Sequence, residues 1–251
     1  MSPHDTGSVV FELRNVSKIR TQGGVTFELA VPSLTVRARS LVGLVGPSGC
    51  GKSTLLDLLA LVLRPTNCET FFIRPSGASR LINLRDLWIG SNTDTLAHLR
   101  KHHLGYVLQT GGLFPFLTVA ENILLPVEIR GQEGPREKML RMAERIGIAS
   151  ILDKKPQYLS GGQRQRVAVL RALIHDPLIV LADEPTAAVD RERAESIIQT
   201  FQTLAEEEGS SIIMATHDER LIASVADTLY TFRVTQESKE LTRSLCVPDE
   251  T

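Results

Sequence analysis

The 251-residue sequence has almost no net charge: 28 lysines and arginines stand against 29 acidic residues, a balance of -1. No global field therefore favours nucleic acid or an anionic membrane surface, and a nucleic-acid partner is not expected. Cysteine is scarce. Cys50, Cys68 and Cys246 are odd in number and lack metal-ligand spacing, which excludes a disulfide framework and fits a reducing compartment. Long apolar runs are missing as well. The longest, Leu55 to Leu63, is broken by Asp57 and too short to cross a bilayer. Met1 to Val10 shows no basic region followed by an apolar stretch, so no secretory leader is read there. The expectation is a cytoplasmic chain, with any membrane crossing left to another polypeptide. With 42% hydrophobic and 23% charged residues, the chain suits one large α/β domain or two small ones rather than disorder. It contains no internal repeat, low-complexity tract or linker.

Four short apolar runs read as buried parallel strands: Leu41 to Val45, Leu104 to Leu108, Leu178 to Ala182 and Ser211 to Ala215. Each ends at a polar cluster. Open parallel sheets bind ligands beyond the carboxyl ends of their strands, so Gly46 to Ser53, Gln109, Asp183 with Glu184, and His217 are expected to converge. Helices are read over Ser53 to Leu63, Arg136 to Ile146, Gly161 to Ile174 and Arg191 to Glu208. Strand and helix alternate as in a doubly wound sheet, and the stretch 109–172 looks like a mostly helical insertion.

Gly46-Pro47-Ser48-Gly49-Cys50-Gly51-Lys52-Ser53 matches the phosphate-binding loop G-x-x-x-x-G-K-[ST], between the strand and the helix that the motif requires. Its glycines let successive N–H groups turn inward as an anion nest, and the helix after it directs its positive end at the same phosphates. Lys52 is expected at the β and γ phosphates, with Ser53 offering its hydroxyl to Mg²⁺ and Thr54 closing the nucleotide contacts. Cys50 is either a small filler or a thiol whose pKa the loop's positive field lowers. Asp183 and Glu184 follow a buried strand and point opposite ways, so Asp183 can face Mg²⁺ while Glu184 polarises a water near the γ-phosphate.

Leu159-Ser160-Gly161-Gly162-Gln163 narrows the reading, because it resembles the signature of the ABC family. The remaining ABC motifs occur in the expected order over residues 9 to 235. The resemblance implies a P-loop NTPase (RecA-like) parallel-sheet core over 8–108 and 173–235. It adds an N-terminal antiparallel β subdomain, an α-helical subdomain over 109–172, and a short C-terminal tail over 236–251. It implies an ATPase that dimerises on two molecules of MgATP, the signature of one copy covering the γ-phosphate held by the other. Gln109 matches the family's Q-loop glutamine, which senses Mg²⁺ and the γ-phosphate. Asp190 matches the D-loop aspartate and His217 the switch histidine. Independently of the resemblance, Ser160 is also a good helix N-cap.

Leu181-Ala-Asp-Glu-Pro-Thr186 and the segment from Leu104 to Asn122 look most like the macrolide-exporter, lipoprotein-release and FtsE branch. That branch implies a separate transmembrane permease and either export or periplasmic mechanotransmission, with an FtsE-like regulatory ATPase as the alternative. Phe114 and Phe116 are the expected aromatic anchors for a permease coupling helix, the alternative being that both fill the core. One departure stands out. Val16-Ser17-Lys18-Ile19-Arg20 lacks the usual aromatic that stacks on adenine, so either Arg20 stacks there or binding rests on the phosphates. Asp94, His98 and His102 recur at helical spacing as three conceivable zinc ligands, but a basic solvated helix is the expected reading.

Overall fold

The structure, a computed structural model, describes residues 7–75, 80–186 and 191–249. Two long strands, β1 (Val9–Gln22) and β2 (Val25–Arg37), form a hairpin and lead into β3 (Leu41–Val45) and α1 (Lys52–Leu59). Next come β4 (Asn67–Ile73), β5 (Ile82–Asn83), α2 (Leu84–Ile89), α3 (Thr93–His103) and β6 (Leu104–Val107). α4 (Val119–Ile129), α5 (Arg136–Arg145) and α6 (Gly161–Leu173) follow without an intervening strand. The chain closes with β7 (Ile179–Asp183), α7 (Arg191–Glu208), β8 (Ser211–Thr216), α8 (Glu219–Ala223), β9 (Thr228–Gln236) and β10 (Leu241–Pro248).

The ten strands among the described residues form one sheet in the order β5-β4-β1-β2-β10-β9-β3-β8-β7-β6. The half from β9 to β6 is parallel, whereas β5, β4, β1 and β2 pair antiparallel. β10 joins the two halves, parallel to β2 and antiparallel to β9. The segment read as a tail after 235 is therefore corrected: it supplies a strand in the middle of the sheet. Ser244 and Cys246 on β10 are fully buried, and this inward set is what a half-buried strand needs.

The central strands are apolar on both faces because both faces are covered. Leu41, Val45, Val180, Ala182, Ile212 and Met214 feed a core with the helices of the inserted subdomain and α7. Their alternates Val42, Leu44, Ile179, Leu181, Ile213 and Ala215 feed a second core with α1 and the antiparallel strands. Gly105 lets α6 approach β6 closely, since a Cβ there would lie 2.2 Å from the carbonyl oxygen of Ala172. Predicted and observed elements agree to within a few residues at each end. Helices α2, α4 and α8 were not read from the sequence, whereas the spacing of Asp94, His98 and His102 does fall on α3. α4 starts with a full capping box, Thr118 and Glu121 each hydrogen-bonding the other's backbone N–H.

Candidate functional site

Gln109, Asp183, Glu184 and His217 leave β6, β7 and β8 at the same edge where β3 enters the glycine-rich loop, as the parallel register requires. All four line one cleft of about 860 Å³ with Ser48, Gly49, Gly51, Lys52, Ser53 and Thr54. The loop is held by local chemistry. Gly49 and Gly51 take φ of 79° and 105°, values that a side chain resists, and Gly51 caps α1. Lys52 is 5% exposed, and its Nζ donates to the carbonyl oxygens of Gly46 and Pro47 at 2.6 and 3.1 Å. Cys50 is turned inward, and Ser244 Oγ donates to its carbonyl at 2.6 Å. Burial pushes the Cys50 thiol pKa up despite Lys52 beside it, which favours the small-filler reading over an activated thiol.

Glu184 joins the cluster. One carboxylate oxygen lies 3.4 Å from Lys52 Nζ and the other 2.8 Å from Nδ1 of His217. A carboxylate only accepts, so Nδ1 of His217 carries the proton of that bond. The Glu184 backbone has a φ of 45°, anchored by its N–H donating to Ala215 O at 2.9 Å. A non-glycine residue in that region is strained by about 1–3 kcal/mol and persists where the surroundings hold it, commonly in active sites. The oxygen atoms of Ser53, Asp183 and Gln109 share the cleft and form a hard donor set that fits Mg²⁺.

The same cleft is also lined by Arg20, Gln22, Val25 and Phe27. Arg20 was expected there and Phe27 was not. They are cross-strand partners in the β1/β2 hairpin, and the ring of Phe27 rests on the loop: a Cβ at Gly51 would lie 3.2 Å from its Cζ. The missed signal was the pairing of the two strands, which puts an aromatic opposite the position examined for one.

The signature behaves differently. Ser160, Gly161, Gly162 and Gln163 do not line the cleft. They open α6, where Ser160 Oγ accepts from the N–H of Gln163 at 3.2 Å and Gln163 Oε1 accepts from the N–H of Ser160 at 2.9 Å. This reciprocal cap leaves the hydroxyl proton of Ser160 free to donate while holding the helix start rigid. Asp190 lies outside the described residues. Among those residues no group of three or more histidine, cysteine and acidic side chains could hold a metal, and His98 and His102 instead stack at 4.0 Å. No helix among them is long and apolar enough to cross a membrane.

A glycine-rich loop running from a central parallel strand into a helix, with acids at the end of a second strand, defines a P-loop nucleoside triphosphatase of the α/β class. The sequence profile described as "ABC transporter" matches residues 29–187. Over 216 residues the chain is 36% identical to an ABC transporter ATP-binding protein, MJ0796, of Methanocaldococcus jannaschii, covering 83% of this chain and 87% of that one. It is 39% identical over 215 residues to the lipoprotein-releasing system ATP-binding protein LolD of Novosphingobium aromaticivorans, covering 84% and 91%. A dimeric structure of MJ0796, described as a bacterial ABC transporter cassette, superposes with a TM-score of 0.75 at 33% identity, covering 88% of this chain and 93% of that one. The chain belongs to the ABC transporter ATP-binding family and is an ATP-binding ATPase of that family.

Proposed function

We propose that this chain is the motor subunit of an exporter or mechanotransmitting ABC system, two copies closing on two molecules of MgATP beside a separate transmembrane permease. The observation that carries the reading is the division of the site. The loop, both acids, Gln109 and His217 share one cleft, whereas Ser160 and its glycines lie outside it. A second copy is the natural source of that missing wall, and MJ0796 has been solved as a dimer, including one bound to ADP and Pi.

Within the cleft Gly49, Gly51 and the start of α1 present N–H groups to the phosphates, and Lys52 neutralises the β and γ oxygens. Ser53, Asp183 and Gln109 would hold Mg²⁺, which when bound offsets phosphate charge. ATP phosphates compete with Glu184 for Lys52, and this competition releases the carboxylate. Glu184 then orients a water and draws off its proton as the water oxygen bonds to the γ-phosphorus and the bond to the β-bridging oxygen breaks. His217, already hydrogen-bonded to Glu184, positions both. Arg20 and Phe27 offer a guanidinium plane and a ring to the base. The D-loop aspartate Asp190 is assigned to the dimer contact from its motif alone.

Phe114 and Phe116 are 42% and 68% exposed, with rings 5.6 Å apart, which favours the docking role over the core role. Phe114 also lines a largely apolar groove of about 620 Å³ with Val62, Leu104, Leu108, Leu125 and Ile129. Asn122, fully buried, builds the loop that presents them: its Oδ1 accepts from the N–H of Phe114, and its Nδ2 donates to Phe114 O, Leu117 O and Thr118 O. Docking here would place the chain on the cytoplasmic face of the membrane. The decisive experiment is magnesium-dependent ATP hydrolysis by the purified chain, together with co-purification from membranes and identification of the bound permease. A turnover unaffected by removing Mg²⁺, or a chain that never accompanies a membrane protein, would overturn it.

A further inference from the structure

Gln109 sits in the nucleotide cleft and Ser160 outside it, yet a single helix reaches both regions. α6 begins at the signature and runs for 13 residues, roughly 20 Å. Near its far end Arg171 Nη1 donates to Gly112 O and Nη2 to Gly111 O, each at 2.8 Å. These carbonyls belong to the turn that follows Gln109. The turn can aim both at one side chain because Gly111 and Gly112 have φ of 74° and 54°, conformations that a Cβ opposes. At Gly112 a Cβ would also lie 2.6 Å from Leu108 Cδ1. Burial lowers the pKa of the Arg171 guanidinium from its ordinary value, and the two carbonyls are what it meets there. Only a planar fork with fixed donors serves both at once; a lysine ammonium does not reproduce that geometry.

We propose that Arg171 is a positioning residue that couples the loop after Gln109 to the signature. It makes the two ends of α6 move as one body, so that contact of Gln109 with the γ-phosphate in one cleft sets the angle at which the same copy's Ser160 meets the nucleotide of the second copy. The proposal rests on the two-copy reading given above. It has physical content because both sites then bias one rigid element, which is the condition for coupling between them. Arg171 also lines the groove beside Phe114, so the joint adjoins the surface offered to the permease.

The test uses the full chain in a Glu184→Gln background, in which turnover is expected to fall by orders of magnitude with ATP binding preserved. Arg171→Lys and, separately, Gly111→Ala are compared with that parent for ATP-driven dimerisation by light scattering, for ADP affinity and for melting temperature. We expect ADP affinity to stay within about twofold of the parent while the ATP concentration for half-dimerisation rises about tenfold in both variants. Dimerisation at the parent's ATP concentration overturns the proposal, as does a parallel loss of ADP affinity, dimerisation and melting temperature, which is the mark of a merely structural residue. If Arg171→Lys fails to fold, Gly111→Ala decides alone, since it disturbs the carbonyls through the φ of 74° and meets the helix only at ordinary van der Waals distance, 3.7 Å from Arg164 O. A parent that does not dimerise on ATP removes the two-copy reading and this proposal together; a dimerising parent matched by its variants removes only the role of Arg171.

Discussion

Nδ1 of His217 lies 2.8 Å from Oε2 of Glu184, a contact between residues on two different strand ends that places a 62%-exposed imidazole against a mostly buried carboxylate. The same carboxylate faces Lys52 at 3.4 Å, so the lysine and the histidine hold it from two sides. Glu184→Gln keeps the shape of that contact but removes its ability to take a proton. We expect turnover to fall by about two to four orders of magnitude with ATP affinity preserved. Rapid-quench hydrolysis and equilibrium nucleotide binding check this, and near-normal hydrolysis by the variant would remove Glu184 as the general base.

Arg20 and Phe27 pair across the hairpin in the wall of the cleft, and both offer flat faces suited to stacking on a base. GTP should therefore be hydrolysed within about tenfold of ATP, a gap of about 1.4 kcal/mol. Phe27→Ala should raise KM for both nucleotides alike, because stacking on a ring does not discriminate between purines. Steady-state kinetics with the two substrates measures this. An ATP preference above about a thousandfold would mean that the base edge is read by hydrogen bonds, with Arg20 or Gln22 as the donors at hand, rather than by stacking.

Phe116 tests the docking surface. A buried phenylalanine cut to alanine loses about 3–5 kcal/mol, whereas this one is 68% exposed. Phe116→Ala should leave the melting temperature and the basal ATPase rate of the isolated chain unchanged and should sharply reduce recovery of the permease on co-purification. Asn122→Ala should also lose the permease, but with a measurable drop in melting temperature, because it strips partners from buried backbone groups. Retention of the permease by Phe116→Ala would leave Phe114 as the anchor.

His175 supplies a pH-dependent stability. Its Nε2 donates to Leu104 O at 3.1 Å, its Nδ1 is buried without a hydrogen-bond partner, and burial is the main cause of a pKa depressed from 6.5 to about 4. The folded chain therefore resists protonation that the unfolded chain accepts. The linked loss of stability is absent above about pH 6.5, grows as the pH falls and is complete below about 4, reaching about 2 kcal/mol at pH 5. Urea denaturation at pH 7 and pH 5 should show wild type losing about that much more than His175→Gln across the interval. Equal losses in the two proteins would mean that His175 is not the titrating group.

The extent to which the sequence was legible follows from the distance over which each feature is encoded. The phosphate loop, the paired acids and the signature are contiguous, and the residues around them carry the strand and helix signals that confirm their context. α7 and β3 were placed residue for residue, because uniform burial or a long periodic stretch leaves little choice of conformation. α4 was missed because it holds Pro126 and starts from a cap that a reader must recognise without periodicity. β10 was mistaken for a tail because its identity as a strand depends on β2 and β9, both distant in sequence.

By itself, then, the sequence determined which residue types stand at each strand end, the family and the order of motifs, since those depend on residue types at short spacing. Only the tertiary structure decided that Cys50 faces inward, that Phe27 stands opposite Arg20, that Phe116 is exposed and that Arg171 grips the turn after Gln109. Each of these is a contact or an exposure set by segments far apart in the chain, and its energy exists only once the sheet has brought them together.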